Sequence, residues 1–239
     1  MSDKHYIIDA FTEISARYEQ VVDGELHKFW GWSYDSFVEN LVQSTPLGEN
    51  DRVLDVASGT AVIPLKLFSH GKTSGQVIGL DITYAMLQRG QQKIEKHQAG
   101  QIISLVCGDA MSMPLQSGYF DVILCGLATH HLDVAILLSE MSRLLRPGGR
   151  LTIADVGGSS AWRKPLVSGL IRAGTFLYFL PKEGYARARA EAGALSNVLT
   201  PAEWTASLAD HHFGNIQVDE LPKSHSWAPA PLLIRAVKE

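Results

Sequence analysis

A chain of 239 residues with 46% hydrophobic content can bury a sizeable core and reads as one large domain. A net charge of −4 and a pI near 6.1 exclude the general electrostatic footprint of a nucleic-acid or membrane-surface binder, leave room only for a local basic patch, and favour small-molecule partners. Asp3 and Asp9 stand where a secretory signal needs basic and then apolar residues, and the apolar stretch Leu166 to Leu180 is broken by Arg172, so a cytoplasmic protein with no integral membrane segment is expected.

Residues 1–45 read as a helical extension carrying Phe11, Tyr18, Phe29, Trp30, Trp32, Tyr34 and Phe37, more aromatics than a surface helix needs, and these are expected to pack over something. From residue 52 onward short apolar runs alternate with amphipathic stretches, the pattern of an α/β fold with a parallel sheet covered by helices. The predicted strands are 52–57, 76–81, 102–107, 120–125 and 150–155, each too uniformly apolar for a sheet with one wet face. Between the last two, Val134, Leu137, Leu138, Met141 and Leu145 recur at helical spacing, with Asp133 as cap and Pro147-Gly148 as stop. Residues 158–200 mix apolar and basic residues and read as a helical insertion, followed by a helix over 201–212 and strands over 216–221 and 232–237. Cys107 and Cys125 lie in apolar runs and read as buried, reduced thiols.

The stretch V-L-D-V-A-S-G-T-A at 53–61 ends the first strand in a turn of small residues. In an open parallel sheet that edge holds ligands, small residues let a ligand approach the backbone, and the following helix points free N–H groups at it. Asp81 ends the second strand and can accept the hydroxyls of a ribose; Asp109 follows the third and can accept an adenine amino group. Either acid alone is equally readable as a helix cap. Together, with Asp55 and no basic residue in the turn, they describe a nucleoside with a cationic tail.

These motifs, with G-L-D-I-T-Y-A-M-L, C-G-D-A-M-S-M-P-L, F-D-V-I-L-C-G-L-A-T-H-H-L and L-L-R-P-G-G-R-L, resemble the successive motifs of class I S-adenosylmethionine-dependent methyltransferases over residues 50–157. F-T-E-I-S-A-R-Y-E near the N-terminus is similar to the branch that C-methylates ubiquinone and menaquinone precursors. The resemblance implies a Rossmann-like, seven-stranded, mostly parallel sheet with helices on both faces, S-adenosyl-L-methionine as cofactor, S-adenosyl-L-homocysteine as product, and no metal. It also implies cofactor contacts from Tyr18, Asp55, Ala57, Gly59, Thr60, Asp81, Ile82, Met86, Asp109, Ala110 and Leu127. Two departures stand out. Ala57 and Ala61 replace the outer glycines of the family's G-x-G-x-G, which is acceptable if both keep negative φ. Gly126-Leu127 is followed by Ala128-Thr129, where quinone-methylating members carry Arg-Asn.

Methyl transfer from a sulfonium needs orientation and desolvation more than acid–base help, yet a hydroxylated acceptor attacks faster once deprotonated. His131, with His130 beside it, follows the fourth strand and is the candidate base; hydrogen bonding to backbone is the structural alternative for both. Residues 162–185 read either as a plain core helix or, favoured by their place after the fifth strand, as a lid over an apolar small substrate, with Tyr18, Trp30, Phe176, Tyr178 and Tyr185 as its contacts. A homodimer is left open. The competing functions are a methyltransferase-fold protein that catalyses a rearrangement or only regulates, and a dinucleotide-dependent oxidoreductase.

Overall fold

The computed structural model describes residues 3–71, 75–226 and 228–239; Met1 and Ser2 of the expected helical extension lie outside them. Three helices come first: α1 (Asp3–Ile14), α2 (Tyr18–Trp30) and α3 (Tyr34–Gln43). Then β1 (Val53–Val56), α4 (Val62–Ser69), β2 (Val77–Asp81), α5 (Tyr84–Lys96), β3 (Ile103–Cys107), β4 (Phe120–Gly126), α6 (Val134–Leu144) and β5 (Leu145–Val156) alternate as expected. The chain closes with α7 (Pro165–Ala194), α8 (Pro201–Asp210), β6 (Phe213–Glu220) and β7 (Pro231–Lys238).

The strands form one sheet in the order β3-β2-β1-β4-β5-β7-β6. Neighbours from β3 through β5 are parallel, whereas β7 runs antiparallel to both β5 and β6. Strand order reverses between β1 and β4, so the crevice beyond their carboxyl ends is where a ligand finds room.

Alternation along β1 divides the core. Leu54 and Val56 face the layer built by Leu137, Leu138 and Met141 of α6 and by Trp204 of α8. Val53 faces the opposite layer, with Phe37 and Leu41 of α3 and Leu67 of α4. Asp55 shares the parity of Val53 and is fully buried.

Helix ends follow their local chemistry. The Asp133 side chain accepts from the backbone N–H of Ala135 and Ile136 at 3.1 and 3.2 Å and starts α6. Thr200 and Glu203 form a reciprocal capping box at α8. Helix α6 stops at Leu144, earlier than Pro147-Gly148, because Leu145 already pairs with Phe120 in the sheet. Helix α7 is broken at Gly184, whose φ of 81° is outside the helical region, three residues after Pro181.

Two expectations are corrected. Ala57 and Ala61 have φ of 57° and 59°, so the turn keeps the left-handed conformation that glycine would adopt and forces it on alanine. Cys125 is buried but Cys107, at the carboxyl end of β3, is exposed; both are free thiols. Among the described residues, no helix is long and apolar enough to cross a membrane.

Candidate active site

Two cavities lie beyond the carboxyl ends of the central strands. The first, about 350 Å³, is lined by Ala57 and Gly59 of the β1 turn, by Asp81, Ile82 and Met86 after β2, by Asp109 and Ala110 after β3, and by Leu127 after β4. The second, about 480 Å³, lies between α2 and α7. Phe11, Tyr18, Leu127 and His131 line both, so the two spaces meet at these side chains.

The turn after β1 is locked to its neighbour. The Gly59 N–H donates to Asp81 Oδ2 at 2.8 Å and the Thr83 N–H to Oδ1 at 2.7 Å, holding the carboxylate at the cavity wall. Burial raises the Asp81 pKa against these hydrogen bonds. Gly59 has φ of 54°, and a Cβ there would stand 3.2 Å from Met86 Cε, so backbone conformation and close packing both favour glycine.

Asp109 accepts from the Met111 N–H at 3.0 Å and pairs with Lys4, which reaches into the first cavity from α1. Burial opposes the charge on Asp109, but Lys4 and the backbone outweigh it and lower its pKa. Phe11 was expected only to pack over something, and Lys4 and Ile7 were not singled out in the sequence; nothing in an amphipathic α1 marks which of its residues meets the sheet edge.

Two expected contacts do not reach this cavity. Thr60 turns its hydroxyl the other way, donating to Glu19 Oε1 at 2.7 Å beside Lys93. Asp55 stands behind the wall, with both carboxylate oxygens buried and outside good hydrogen-bond geometry, and burial raises its pKa to about 7 against the nearby Ser58 hydroxyl.

The second cavity has aromatic and aliphatic walls with a chain of ionisable groups between them. Asp155, at the end of β5, accepts from His130 Nδ1 at 2.6 Å and from the N–H and hydroxyl of Thr129 at 2.6 and 2.5 Å. The rings of His130 and His131 lie 4.2 Å apart. His131 Nε2 is 3.4 Å from Glu191 Oε1, which is 2.9 Å from Arg187 Nη2, which in turn lies 3.4 Å from Glu25 Oε2. Arg187 is 4% exposed and its guanidinium sits over the Phe11 ring at 4.9 Å.

The shifts along this chain have local causes. Burial opposes the charge on His130, but Asp155 outweighs it and raises the pKa. Burial, helped by the charge of His130, lowers that of His131. Burial also opposes the Glu191 carboxylate, yet Arg187 and His131 hold its pKa well below the usual range. Glu25, further from compensation, is pushed up by burial to about 7. His130, His131 and Glu191 bring one donor atom each within 4.8 Å of one another. Asp155 and Arg187 already engage His130 Nδ1 and Glu191, which makes the cluster a compensated ion-pair chain.

Of the expected substrate contacts, Tyr18 and Trp30 line the second cavity. Phe176, Tyr178 and Tyr185 do not: α7 presents Ile171, Thr175 and Phe179 inward, Tyr178 accepts a hydrogen bond from Lys28 at 2.8 Å on the outside, and Tyr185 is exposed and packs on Tyr6 and Phe176. A helix apolar on several sides gives no period from which to read its inward face. Arg187, Glu191 and Glu25 were likewise missed: Arg187 and Glu191 are an i,i+4 pair on α7, but only the fold brings Glu25 of α2 and the ring of His131 to them.

Residues 54–153 match the methyltransferase domain family. The chain is 32% identical to the demethylmenaquinone methyltransferase of Staphylococcus carnosus over 152 residues, which are 62% of this chain and 59% of that protein. It is 29% identical to that of Bacillus cereus over 182 residues, 74% of this chain and 70% of that one. Its fold is similar to geranyl diphosphate C-methyltransferase from Streptomyces coelicolor, solved with Mg2+, geranyl diphosphate and S-adenosyl-L-homocysteine, with a TM-score of 0.67 and 17% identity over 93% of this chain and 84% of the other.

Proposed function

We propose that this chain is a class I S-adenosylmethionine-dependent methyltransferase and that it transfers a methyl group from S-adenosyl-L-methionine to carbon or oxygen of an apolar small molecule. The observation that carries this reading is the meeting of an acid-edged cavity with an apolar one at Tyr18, Leu127 and His131. A nucleoside in the first then presents its reactive end to an acceptor in the second.

The first cavity fits the cofactor. Asp81 and Asp109 stand at adjacent strand ends, where one can accept from ribose hydroxyls and the other from the adenine amino group once Lys4 moves aside. Ala57 and Gly59 admit close backbone approach, while Ile82, Met86, Ala110 and Leu127 supply apolar cover. Asp55, unpartnered behind the turn, is suited to stabilising a cationic tail through the wall, and its burial favours an ionised state only when a positive charge is near. Thr60 acts indirectly, by tying the turn to α2 through Glu19. When bound, the cofactor supplies an electrophilic methyl group.

The protein's own part is to orient, desolvate and move a proton. His131 stays neutral because its pKa is lowered, and it stands where the two cavities join, so it can accept the acceptor's proton. His130 is a positioning residue, fixed by Asp155. Trp30, Phe29 and Phe179 shape an apolar acceptor site, which suits a ring system or a prenyl-like chain. We read residues 1–239 as one catalytic domain acting in the cytoplasm without nucleic acid, with 1–45 and 158–200 as its cover. The similarity to demethylmenaquinone methyltransferases supports a redox-active ring as acceptor, but Ala128-Thr129 in place of Arg-Asn argues for a related, non-identical one. The test is incubation with labelled cofactor and hydroxylated aromatic acceptors: formation of S-adenosylhomocysteine with an equal amount of methylated product is expected, and cofactor binding without transfer to any of them would favour a regulatory role.

A further inference from the structure

Helix α7 is apolar on two opposite sides. Ile171, Thr175 and Phe179 line the second cavity. On the other side, Leu166, Leu170 and Leu177 are 85%, 75% and 67% exposed. At roughly 100° per residue these three fall on one face, a continuous leucine stripe of the kind a soluble monomer rarely leaves open.

The charge around the stripe identifies its occupant. From Val156 through Lys182 the chain has no Asp or Glu but carries Arg163, Lys164, Arg172 and Lys182, against a net charge of −4 for the whole. Arg163 is paired with Glu203 at 2.7 Å. Lys164 and Arg172 are exposed and have no acidic partner among the described residues. We propose that this face of α7 docks on an anionic lipid bilayer, with the leucines in the acyl boundary and Lys164 and Arg172 at the headgroups. Lys164 precedes the first turn of α7 and Arg172 stands at the edge of its exposed surface, roughly 140° round the helix from the stripe, so long cationic side chains border an apolar face as on an interfacial helix. A second copy of this chain would bring the same unbalanced cations against each other. Docking also places the bilayer directly outside the helix that walls the acceptor cavity, so an apolar acceptor enters from lipid; that link rests on the function proposed above, whereas the docking itself does not.

The test is flotation of the full-length protein with vesicles of phosphatidylcholine alone and of phosphatidylcholine with about a third phosphatidylglycerol, together with sedimentation of the free protein. Wild type is expected to partition at least about tenfold more strongly into the anionic vesicles. Lys164→Glu with Arg172→Glu removes that preference, and Leu166→Ser, Leu170→Ser and Leu177→Ser together reduce partitioning at least about tenfold, all with unchanged cofactor affinity. Absence of partitioning, or equal partitioning into both compositions, overturns the proposal. So does a concentration-dependent dimer dispersed by the triple serine variant, which would assign the stripe to a second copy. Cofactor binding and methyl transfer are read separately, so failure here leaves the proposed activity standing.

Discussion

His131 Nε2 faces Glu191 Oε1 at 3.4 Å, while Nδ1 of the same ring is buried without a hydrogen-bond partner. Glu191 is held ionised by Arg187, so it can only accept, which keeps the ring proton on Nε2 and leaves the lone pair on Nδ1. The ring lines both cavities, so an acceptor bound there meets a neutral imidazole, the protonation state a general base requires.

His131→Gln is therefore expected to lower kcat by roughly 10²- to 10⁴-fold while changing cofactor affinity little, measured by steady-state kinetics and calorimetry. The acid limb of wild-type kcat follows in sign: protonation removes the lone pair, so rate falls as pH drops through the His131 pKa. Burial and the charge of His130 lower that pKa, placing the limb below about pH 6.5. Wild-type turnover in the variant, with the same pH profile, would show the ring to be structural.

Asp55 sets stability against function. Its folded-state pKa of about 7 lies above the unfolded value, so its contribution to stability is greatest below the unfolded pKa and declines as pH rises toward 7. Asp55→Asn is expected to raise the Tm of the ligand-free protein at pH 8, by roughly 2–4 °C for each kcal/mol of relieved desolvation, and to weaken cofactor binding. A lower Tm at pH 8 would contradict the assignment of that carboxylate as an uncompensated buried charge.

Ala57 is held at φ of 57°, a conformation that costs an L-residue roughly 1–2 kcal/mol, while glycine gives back about 0.4–1 kcal/mol through the freer unfolded chain. Denaturant unfolding of Ala57→Gly should show a stability between unchanged and about 1.5 kcal/mol higher, with cofactor affinity retained or improved. A loss of more than about 1 kcal/mol would mean that the Cβ packs favourably against the turn.

The sheet was legible in the sequence because uniformly apolar runs such as F-D-V-I-L-C admit no wet face, and Asp81 and Asp109 were legible because they follow such runs directly. The inward face of α7 was not: apolar residues surround the helix, and Phe176 and Tyr178 look as suitable as Phe179 until packing chooses. The φ of Ala57 and Ala61 was also hidden, since alanine argues for the opposite conformation and only the tight passage from β1 into α4 imposes it. The chain from Glu25 through Arg187 to Glu191 depends on contacts between residues 162 apart in sequence.

The proposed reaction requires S-adenosylmethionine in the first cavity with Asp81 as its ribose ligand. Calorimetric titration of wild type and Asp81→Ala with S-adenosylmethionine and, separately, with a nicotinamide dinucleotide tests this most directly. Stoichiometric binding of S-adenosylmethionine, weakened at least tenfold in the variant because a buried charged hydrogen bond contributes about 1.5 to 3 kcal/mol, is the predicted result. Equal affinity in the two proteins, or tight dinucleotide binding with none for S-adenosylmethionine, would contradict it.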